Sequence, residues 1–262
     1  MKKHGPRILA LDIETSPIVS YTWGLFDQNV ALNQIKEDWS VLAWCCKWVG
    51  EKKILYMDQR KAKNVRDDKE ILKAIWKLLD EADIVLTQNG KSFDIKKLNA
   101  RFIINGMRPP SSFKQIDTLR LARKIFGFTS NKLEYMSNTL CLKYKKLKVK
   151  KFQGFELWSE CLKGNKEAWQ QMERYNKMDV LSLEELYEKL IPWETGINFN
   201  LYSRDNVTRC TCGSTNFMKN GYFYSASGKF QRYYCGDCGS EIRDKQNLFS
   251  KDKKKSLKVL DK

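Results

Sequence analysis

Histidine is nearly absent from this chain. Its 262 residues contain one histidine, His4, close to the first residue. Catalysis by a histidine base is therefore not expected, and neither is a zinc site that needs histidine ligands. Long apolar runs are absent too, since no stretch approaches the roughly 18 apolar residues of a membrane-spanning helix. The first residues are basic, as in a signal peptide, but Asp12 interrupts the apolar run early, so we expect a cytoplasmic protein without membrane contact.

Acidic residues are outnumbered. The chain has 48 Lys and Arg against 31 Asp and Glu, a net charge of +17, and residues 196–262 alone carry +7. Such an excess favours a polyanionic partner, with nucleic acid first. A membrane surface is the weaker alternative, because no clear basic amphipathic helix is present. In a reducing cytoplasm, the eight cysteines are expected as thiols or metal ligands rather than disulfides.

The order of apolar patterns predicts an α/β domain with a mixed sheet flanked by helices, over residues 1–195. We predict strands at 7–13, 41–49, 53–57, 84–87 and 113–116, and helices at 68–82, 92–105, 117–126, 132–142 and 165–190. Ser92 is the predicted cap of the second helix. Trp23, Trp44, Trp48 and Trp158 are predicted core residues. Residues 196–206 read as a linker, 207–246 as a small cysteine-containing β module, and 247–262 as a basic, disordered tail.

Two carboxylates stand one residue apart within the first predicted strand, at Asp12 and Glu14. Residues i and i+2 of a strand point to the same face of the sheet. Neighbouring carboxylates repel each other and resist ionising together, so a positive charge is expected between them. A divalent metal ion is the usual solution, and the pair therefore predicts a metal site.

Two further acids are ambiguous when each is taken alone. Asp94 opens a predicted helix, where an acid often does no more than interact with the helix dipole. Asp179 lies in the last long helix, and a lone helical aspartate is usually a solvated surface residue. However, Tyr175 is four residues earlier and shares its face, beside an apolar stripe that includes Val180 and Leu183. This placement allows Asp179 to point inward.

In combination, these segments resemble the DEDD (DnaQ-like) 3′–5′ exonuclease superfamily, which has a ribonuclease H-like fold. Three motifs agree in order and in kind: Asp12-Ile-Glu14, Asn89…Phe93-Asp94 and Tyr175-x-x-x-Asp179. The third motif resembles the DEDDy branch, because the histidine branch would need a histidine where Arg174 stands. The resemblance covers roughly residues 7–190. The residues from Asp12 to Pro17 and from Asn89 to Asp94 are most similar to those of stand-alone or phage-encoded members.

The resemblance implies two Mg²⁺ or Mn²⁺ ions, which favour oxygen ligands. One ion would be held by Asp12, Glu14 and Asp179 and would generate the attacking hydroxide. The other would lie on Asp12, reached by Asp94 through water, and would stabilise the departing 3′-oxyanion. Tyr175, with a phenol pKa of about 10, suits orienting the water rather than deprotonating it. The expected product is a 5′-mononucleotide.

Substrate contacts are expected beside the acids. Thr15, Asn89 and Phe93 are predicted to touch the terminal nucleotide, although Thr15 and Asn89 could equally be cap or turn residues. Asp117 is expected to cap the following helix rather than bind metal. Lys143–Lys151 has six lysines in nine residues, which is usually only a solvated face; beside a nuclease cleft it would follow phosphates.

The cysteine module carries Cys210-Thr-Cys212-Gly213 and Cys235-Gly-Asp-Cys238-Gly239. Two pairs of thiols fit one tetrahedral Zn²⁺ ion, and the glycines permit the tight turns that such a site needs. Two strands are predicted between them, at 217–224 and 229–234. This pattern resembles a zinc ribbon, apart from a first pair that is Cys-x-Cys rather than Cys-x-x-Cys. The other four cysteines, Cys45, Cys46, Cys141 and Cys161, are predicted buried thiols.

Three functions agree with these features. The leading one is a metal-dependent 3′–5′ exonuclease acting on nucleic acid, DNA favoured, with single strands or 3′ ends held by the zinc ribbon. An inactive nuclease-fold adaptor is the second, and the intact acids argue against it. A structure-specific endonuclease is the third, disfavoured by the Asp12-x-Glu14 pair. The sequence does not identify a polymerase, replication or repair partner.

Overall fold

The computed structural model describes residues 5–145, 151–194 and 196–259. The chain divides into two compact units. One is Arg7–Tyr187, and the other contains the described residues from Glu188 onward. Across the described ranges, no helix combines the length and the apolar character needed to cross a membrane. Most of the basic run predicted beside the cleft, at 146–150, lies outside the described residues.

A five-stranded sheet forms the centre of the first unit. Its strands are β1 (Ile8–Thr15), β4 (Val41–Trp48), β5 (Ile54–Asp58), β6 (Ile84–Thr87) and β7 (Lys114–Asp117), while β2 (Val19–Ser20) and β3 (Ile35–Glu37) form a separate pair. The order is β5-β4-β1-β6-β7. The central strand β1 is antiparallel to β4 and parallel to β6. The sheet is therefore mixed, as the sequence predicts.

Six helices accompany the sheet in the described residues, and the last of them continues into the second unit. They are α1 (Lys69–Asp80), α2 (Asp94–Ile104), α3 (Thr118–Ile125), α4 (Leu133–Leu140), α5 (Phe155–Leu162) and α6 (Lys166–Leu190). The larger apolar core joins Leu9, Leu11 and Ile13 of β1 to residues of α1 and α2, and a second core joins Leu42 to residues of α5 and α6. Because side chains alternate along a strand, Asp12 and Glu14 point away from the larger core.

A buried ion pair connects the sheet to α6. Lys47 on β4 pairs with Glu184, and their side chains are only 9% and 10% exposed. The second carboxylate oxygen of Glu184 accepts a hydrogen bond from the Gly50 amide at 2.8 Å. Each charge is therefore partnered, as buried charges must be. The pair fixes the second half of α6 against the end of β4.

The structure corrects three local predictions. Ser92 does not cap α2, which begins at Asp94 after Phe93, and no side chain caps it. Trp23 is not in the core, because 98% of its surface is exposed; Trp44 is buried as predicted. Helix α5 has no counterpart in the sequence-based prediction. It is only eight residues long and follows the lysine run, so apolar periodicity over two turns is too short to identify it.

The second unit contains the cysteine module. Strands β8 (Phe217–Ser225), β9 (Gly228–Cys235) and β10 (Glu241–Arg243) form an antiparallel sheet in the order β10-β9-β8. The predicted hairpin is confirmed, and β10 is a third strand that the sequence reading did not include. The predicted disordered tail also differs, because Lys251–Ser256 form a short helix, α7. Ser250 caps it by accepting a hydrogen bond from the Lys253 amide at 3.1 Å.

Candidate functional site

Asp12 and Glu14 lie in the middle and near the end of the central strand, on one face. Across the ladder to β4 they pair with Cys45 and Ala43. Glu14 is 9% exposed and Asp12 is half-buried. Both line a cleft of about 600 Å³. The other lining residues are Gln88, Asn89, Leu119, Arg123, Thr129, Ser130, Asn131, Lys132, Leu133, Glu134, Tyr175 and Asp179.

Asp94 joins this pair through the backbone of β1. It is the first residue of α2, is 3% exposed, and its Oδ1 accepts a hydrogen bond from the Ile13 amide at 3.1 Å. Burial raises the pKa of the Asp94 carboxyl to about 7, although the Ile13 amide favours the carboxylate. A nearby divalent cation would favour the carboxylate as well, so this acid suits a metal site.

Tyr175 and Asp179 reach the cleft from α6, one helical turn apart. Asp179 is 4% exposed, so it is not the solvated surface acid that a lone helical aspartate usually is. The structure thus brings Asp12, Glu14, Tyr175 and Asp179 to one cleft. Asp94 of α2 is hydrogen-bonded to the backbone of β1 between the first two acids. The acidic donor atoms are carboxylate oxygens, and these fit Mg²⁺ or Mn²⁺.

Two side chains that the motifs do not contain support the first acidic pair. Asn176 is fully buried, and its Nδ2 donates to Oδ2 of Asp12 and, at 3.3 Å, to its backbone carbonyl. The Trp158 indole N–H donates to Oε2 of Glu14 at 3.2 Å. Asn176 could have been found from sequence, as a polar residue three before Asp179 on the apolar stripe of α6. Trp158 could not, because α5 itself was missed.

The loop after β6 is held by Asp117. Asn89 stands in this loop with φ of +68°, a left-handed conformation that asparagine tolerates better than most residues. One oxygen of Asp117 accepts from the Asn89 amide at 2.9 Å, and the other from the Lys91 amide at 3.1 Å. Asp117 also accepts from the amides of Leu119 and Arg120, so its predicted role as a helix cap is confirmed.

The predicted substrate residues are not all in the cleft. Asn89 lines it, whereas Thr15 and Phe93 are not among the described residues that do. Phe93 is 38% exposed, and its ring lies 5.8 Å from the ammonium of Lys97. The cleft also contains two exposed cations, Arg123 and Lys132, which sequence reasoning did not single out.

The four cysteines of the second unit converge. The sulfur atoms of Cys210, Cys212, Cys235 and Cys238 all lie within 4.8 Å of one another. Burial raises the pKa of Cys210 and Cys212, whereas for Cys235 the backbone amides and neighbouring thiols outweigh burial and lower the pKa to about 7. A thiolate is the form that binds zinc. Because the four sulfur atoms lie so close together, the short Cys-x-Cys spacing does not prevent the arrangement that a tetrahedral site needs.

Both predicted glycine turns follow these cysteines. Gly213 has φ of +91° and Gly239 has φ of +76°. Other residues rarely adopt these angles, which explains why glycine stands at both positions. The four remaining cysteines are buried free thiols, as predicted: Cys45, Cys46, Cys141 and Cys161.

Basic side chains lie beside aromatic rings on the sheet of β8, β9 and β10. The Lys229 ammonium lies 3.8 Å from the ring centre of Tyr222, and the Arg243 guanidinium lies 4.4 Å from that of Phe230. Tyr222 is 45% exposed and Tyr224 is 62% exposed. Exposed aromatic rings beside cations are the components of a surface that binds single-stranded nucleic acid.

Comparison with known proteins gives a family and a fold. Residues 10–191 match the family model of the RNase H superfamily. Among solved structures, the chain is similar to the family B DNA polymerase from the hyperthermophilic archaeon Pyrobaculum calidifontis, with a TM-score of 0.54 and 16% identity. That similarity covers 72% of this chain but only 25% of the polymerase. No curated protein matches the sequence.

Proposed function

Because this chain belongs to the RNase H superfamily, we propose that it is a metal-dependent 3′–5′ exonuclease of the DEDDy type. The observation that carries the proposal is the cleft itself. Three motifs that are far apart in sequence bring Asp12, Glu14, Tyr175 and Asp179 to its wall, with Asp94 hydrogen-bonded to the strand between the first two. A phosphodiester hydrolase that uses two divalent ions needs this kind of oxygen-donor set.

Each residue has a role in this proposal. Asp12, Glu14, Asp94 and Asp179 would hold two Mg²⁺ or Mn²⁺ ions, and Tyr175 would orient the attacking water by a hydrogen bond. When bound, the ions supply the positive charge that activates water and stabilises the leaving oxygen. The chain supplies the rest: it fixes the carboxylates on a central strand and two helices, and it partly encloses the reacting phosphate.

Substrate contacts follow from the cleft and its border. Arg123 and Lys132 line the same cleft as the acids and would contact phosphates of the substrate. Asn89 would contact the terminal nucleotide from the loop after β6. Thr15 lies beside Glu14 in sequence and would contact the same nucleotide, and Phe93 beside Asp94 would be a further substrate contact. The similar polymerase acts on DNA by its name, which favours DNA over RNA.

The second unit would bind Zn²⁺ through its four cysteines and hold nucleic acid with the hairpin of β8 and β9. The close approach of the sulfur atoms supports the first part. The exposed tyrosines beside Lys229 support the second. In this proposal zinc is structural, because four protein ligands complete its coordination and leave no position for a substrate.

End-labelled digestion tests the activity. Single-stranded and recessed-end DNA and RNA, labelled at either end, are incubated with Mg²⁺ or Mn²⁺ and with wild type, Asp12→Asn or Asp83→Asn protein. Asp83 is the matched control, because it lies outside the cleft and accepts a hydrogen bond from the Arg7 amide at 2.7 Å. We expect the wild type to produce a ladder of products shortened from the 3′ end. Asp12→Asn should lower the rate of digestion by more than about 100-fold, since even a group that only supports a metal ligand contributes about 10–100-fold. Asp83→Asn should digest at the wild-type rate.

The alternatives give different patterns in the same assay. Binding without cleavage by the wild-type protein would identify an inactive adaptor and overturn the proposal. Internal cuts on circular DNA that depend on Asp12 would identify an endonuclease on the same fold. Release of label first from the 5′ end would keep the nuclease but reverse its direction.

A further inference from the structure

Asp12 and Glu14 each receive a hydrogen bond from a different helix. Asn176 of α6 donates to Oδ2 of Asp12, and Trp158 of α5 donates to Oε2 of Glu14. The strand fixes only the backbone of these two acids. A carboxylate on such a strand can still rotate about its side-chain bonds, so a donor that holds one of its oxygens restricts the direction in which the carboxylate points.

The Asn176 amide is dedicated to this contact. The residue is fully buried, and its Nδ2 donates both to the side chain and to the backbone carbonyl of Asp12. Among the described residues, its Oδ1 has no hydrogen-bond partner. A buried amide with an unmatched oxygen is unfavourable for folding, and a leucine would fit the apolar stripe of α6 better. The polar side chain at this position is therefore best explained by Asp12.

Trp158 links two site residues through one ring. Besides its N–H contact with Glu14, the indole meets the ring of Tyr175 edge-on, with centres 6.3 Å apart and planes at 78°. An edge-to-face contact is a favourable arrangement for two aromatic rings. A rotation of the indole would therefore disturb both Glu14 and the tyrosine at once.

We propose that Asn176 and Trp158 are positioning residues that orient Asp12 and Glu14 for metal binding. The proposal rests on the proposed function only in taking these two acids as metal ligands. It assigns a role to α5, a helix that carries none of the three motifs. Partners that hydrogen-bond to metal ligands typically change metal affinity or activity by about 10–100-fold when they are removed.

The variants remove the hydrogen-bond donors. Trp158→Phe retains an aromatic ring beside Tyr175 and removes the N–H, and Asn176→Leu replaces the amide by an apolar group of similar size. The control for the first is Trp76→Phe, because the Trp76 indole donates to the Arg108 carbonyl at 2.7 Å, outside the cleft. The control for the second is Asn105→Leu, since Asn105 Nδ2 donates to the Arg101 carbonyl at 2.9 Å.

The measurement is Mn²⁺ binding to the full, zinc-loaded chain without substrate. Calorimetry gives the affinity, and the change in tryptophan emission on Mn²⁺ addition gives a second readout, because Trp158 touches a proposed ligand. We expect about 10–100-fold weaker Mn²⁺ binding in Trp158→Phe and Asn176→Leu, an emission titration shifted by the same factor in Asn176→Leu, and wild-type behaviour in both controls. Melting temperatures identify a variant that is merely unfolded. If only one of the two test variants folds, its Mn²⁺ affinity alone decides the role of the residue that it replaces.

Wild-type Mn²⁺ affinity in a folded Trp158→Phe or Asn176→Leu protein would overturn the assignment for that residue. Equal weakening in the controls would also overturn it, because it would show a general loss of stability. The failure of the proposed function looks different. In that case the wild type binds Mn²⁺ and the variants weaken it as expected, but no nucleic acid is degraded.

Discussion

The two units of the chain fix their clustered donor atoms in different ways. In the first unit, the carboxylates lie on a strand and two helices whose positions are set by apolar packing; Leu9, Leu11, Ile71 and Leu98 are each at most 1% exposed. In the described part of the second unit, the cysteines Cys210 and Cys235 are fully buried, whereas Tyr222, Phe223 and Tyr224 of its hairpin are exposed. Here the clustered donor atoms themselves form part of the buried interior.

This difference predicts opposite responses to metal. The first unit can fold without its ions, because burial of apolar side chains stabilises it. The acids would then line a folded cleft before any metal ion binds. We expect the second unit, which buries little apolar surface, to depend for its folding on a metal ion bound by its four cysteines. Experiments that measure separately how the folding of each unit depends on metal and on apolar packing can therefore confirm or contradict this difference.

The largest effect is expected from the cysteine cluster. Cys235→Ser should abolish zinc binding and unfold the second unit, since structural zinc contributes about 10–16 kcal/mol in small zinc-binding peptides. Zinc content should fall to zero and nucleic-acid binding should weaken, while the products of cleavage stay the same. Cys238→His is the control, because histidine is also a zinc ligand. If Cys235→Ser loses zinc and still binds nucleic acid as the wild type does, the substrate-holding role of this unit is wrong.

A smaller effect is expected from the apolar core of the first unit. Ile75→Ala removes a fully buried side chain from α1 and should lower the free energy of unfolding of that unit by about 2–5 kcal/mol. Tryptophan emission reports on this unit, because seven of the eight tryptophans lie between Trp23 and Trp169. Zinc release on heating reports on the other. We expect the first signal to shift and the second to stay, with exposed Lys73→Ala as the control.

The third effect concerns pH and is the smallest when counted per pH unit. In protein dialysed free of Mg²⁺ and Mn²⁺, stability of the first unit should fall as pH rises from about 4 to about 7. Burial raises the pKa of Asp94 to about 7, so in this range the native state keeps a proton that the unfolded chain has released. One such proton gives a slope of at most about 1.4 kcal/mol per pH unit.

Urea unfolding at several pH values measures this slope. Asp94→Asn should remove it, and added Mg²⁺ should reduce it by favouring the carboxylate. Asp80→Asn is the control, because hydrogen bonds from Ser111 lower the pKa of that exposed carboxyl and give the opposite sign. An unchanged slope in Asp94→Asn would show that another group titrates.

Much of the architecture follows from local sequence. The apolar strands β1, β4 and β6 and the amphipathic helix α1 are long or regular enough for their periodicity to identify them. The glycines after each cysteine pair likewise predict the observed left-handed turns. In both cases the signal lies within a few neighbouring residues, which is why a single sequence is sufficient.

Contacts between distant residues could not be predicted in the same way. Trp158 donates a hydrogen bond to Glu14, which lies 144 residues earlier in the chain. Asn176 donates one to Asp12, which lies 164 residues earlier. No spacing rule connects such pairs, because they arise only when α5 and α6 pack on the sheet. Trp23 shows the opposite error: a large apolar residue suggests burial, but the segment after β2 leaves it almost fully exposed. The roles of the acids stay predictions from motif order.

The pair of Lys47 and Glu184 has a mechanical consequence for α6. A helix packed only by apolar side chains can slide along a sheet to a neighbouring set of grooves. For α6, a slide by one turn, about 5.4 Å, would separate two nearly buried charges and release the Gly50 amide as well. Leaving a buried charge without its partner costs about 3–5 kcal/mol. The position of α6 along its own axis is therefore fixed, and with it the positions of Tyr175 and Asp179.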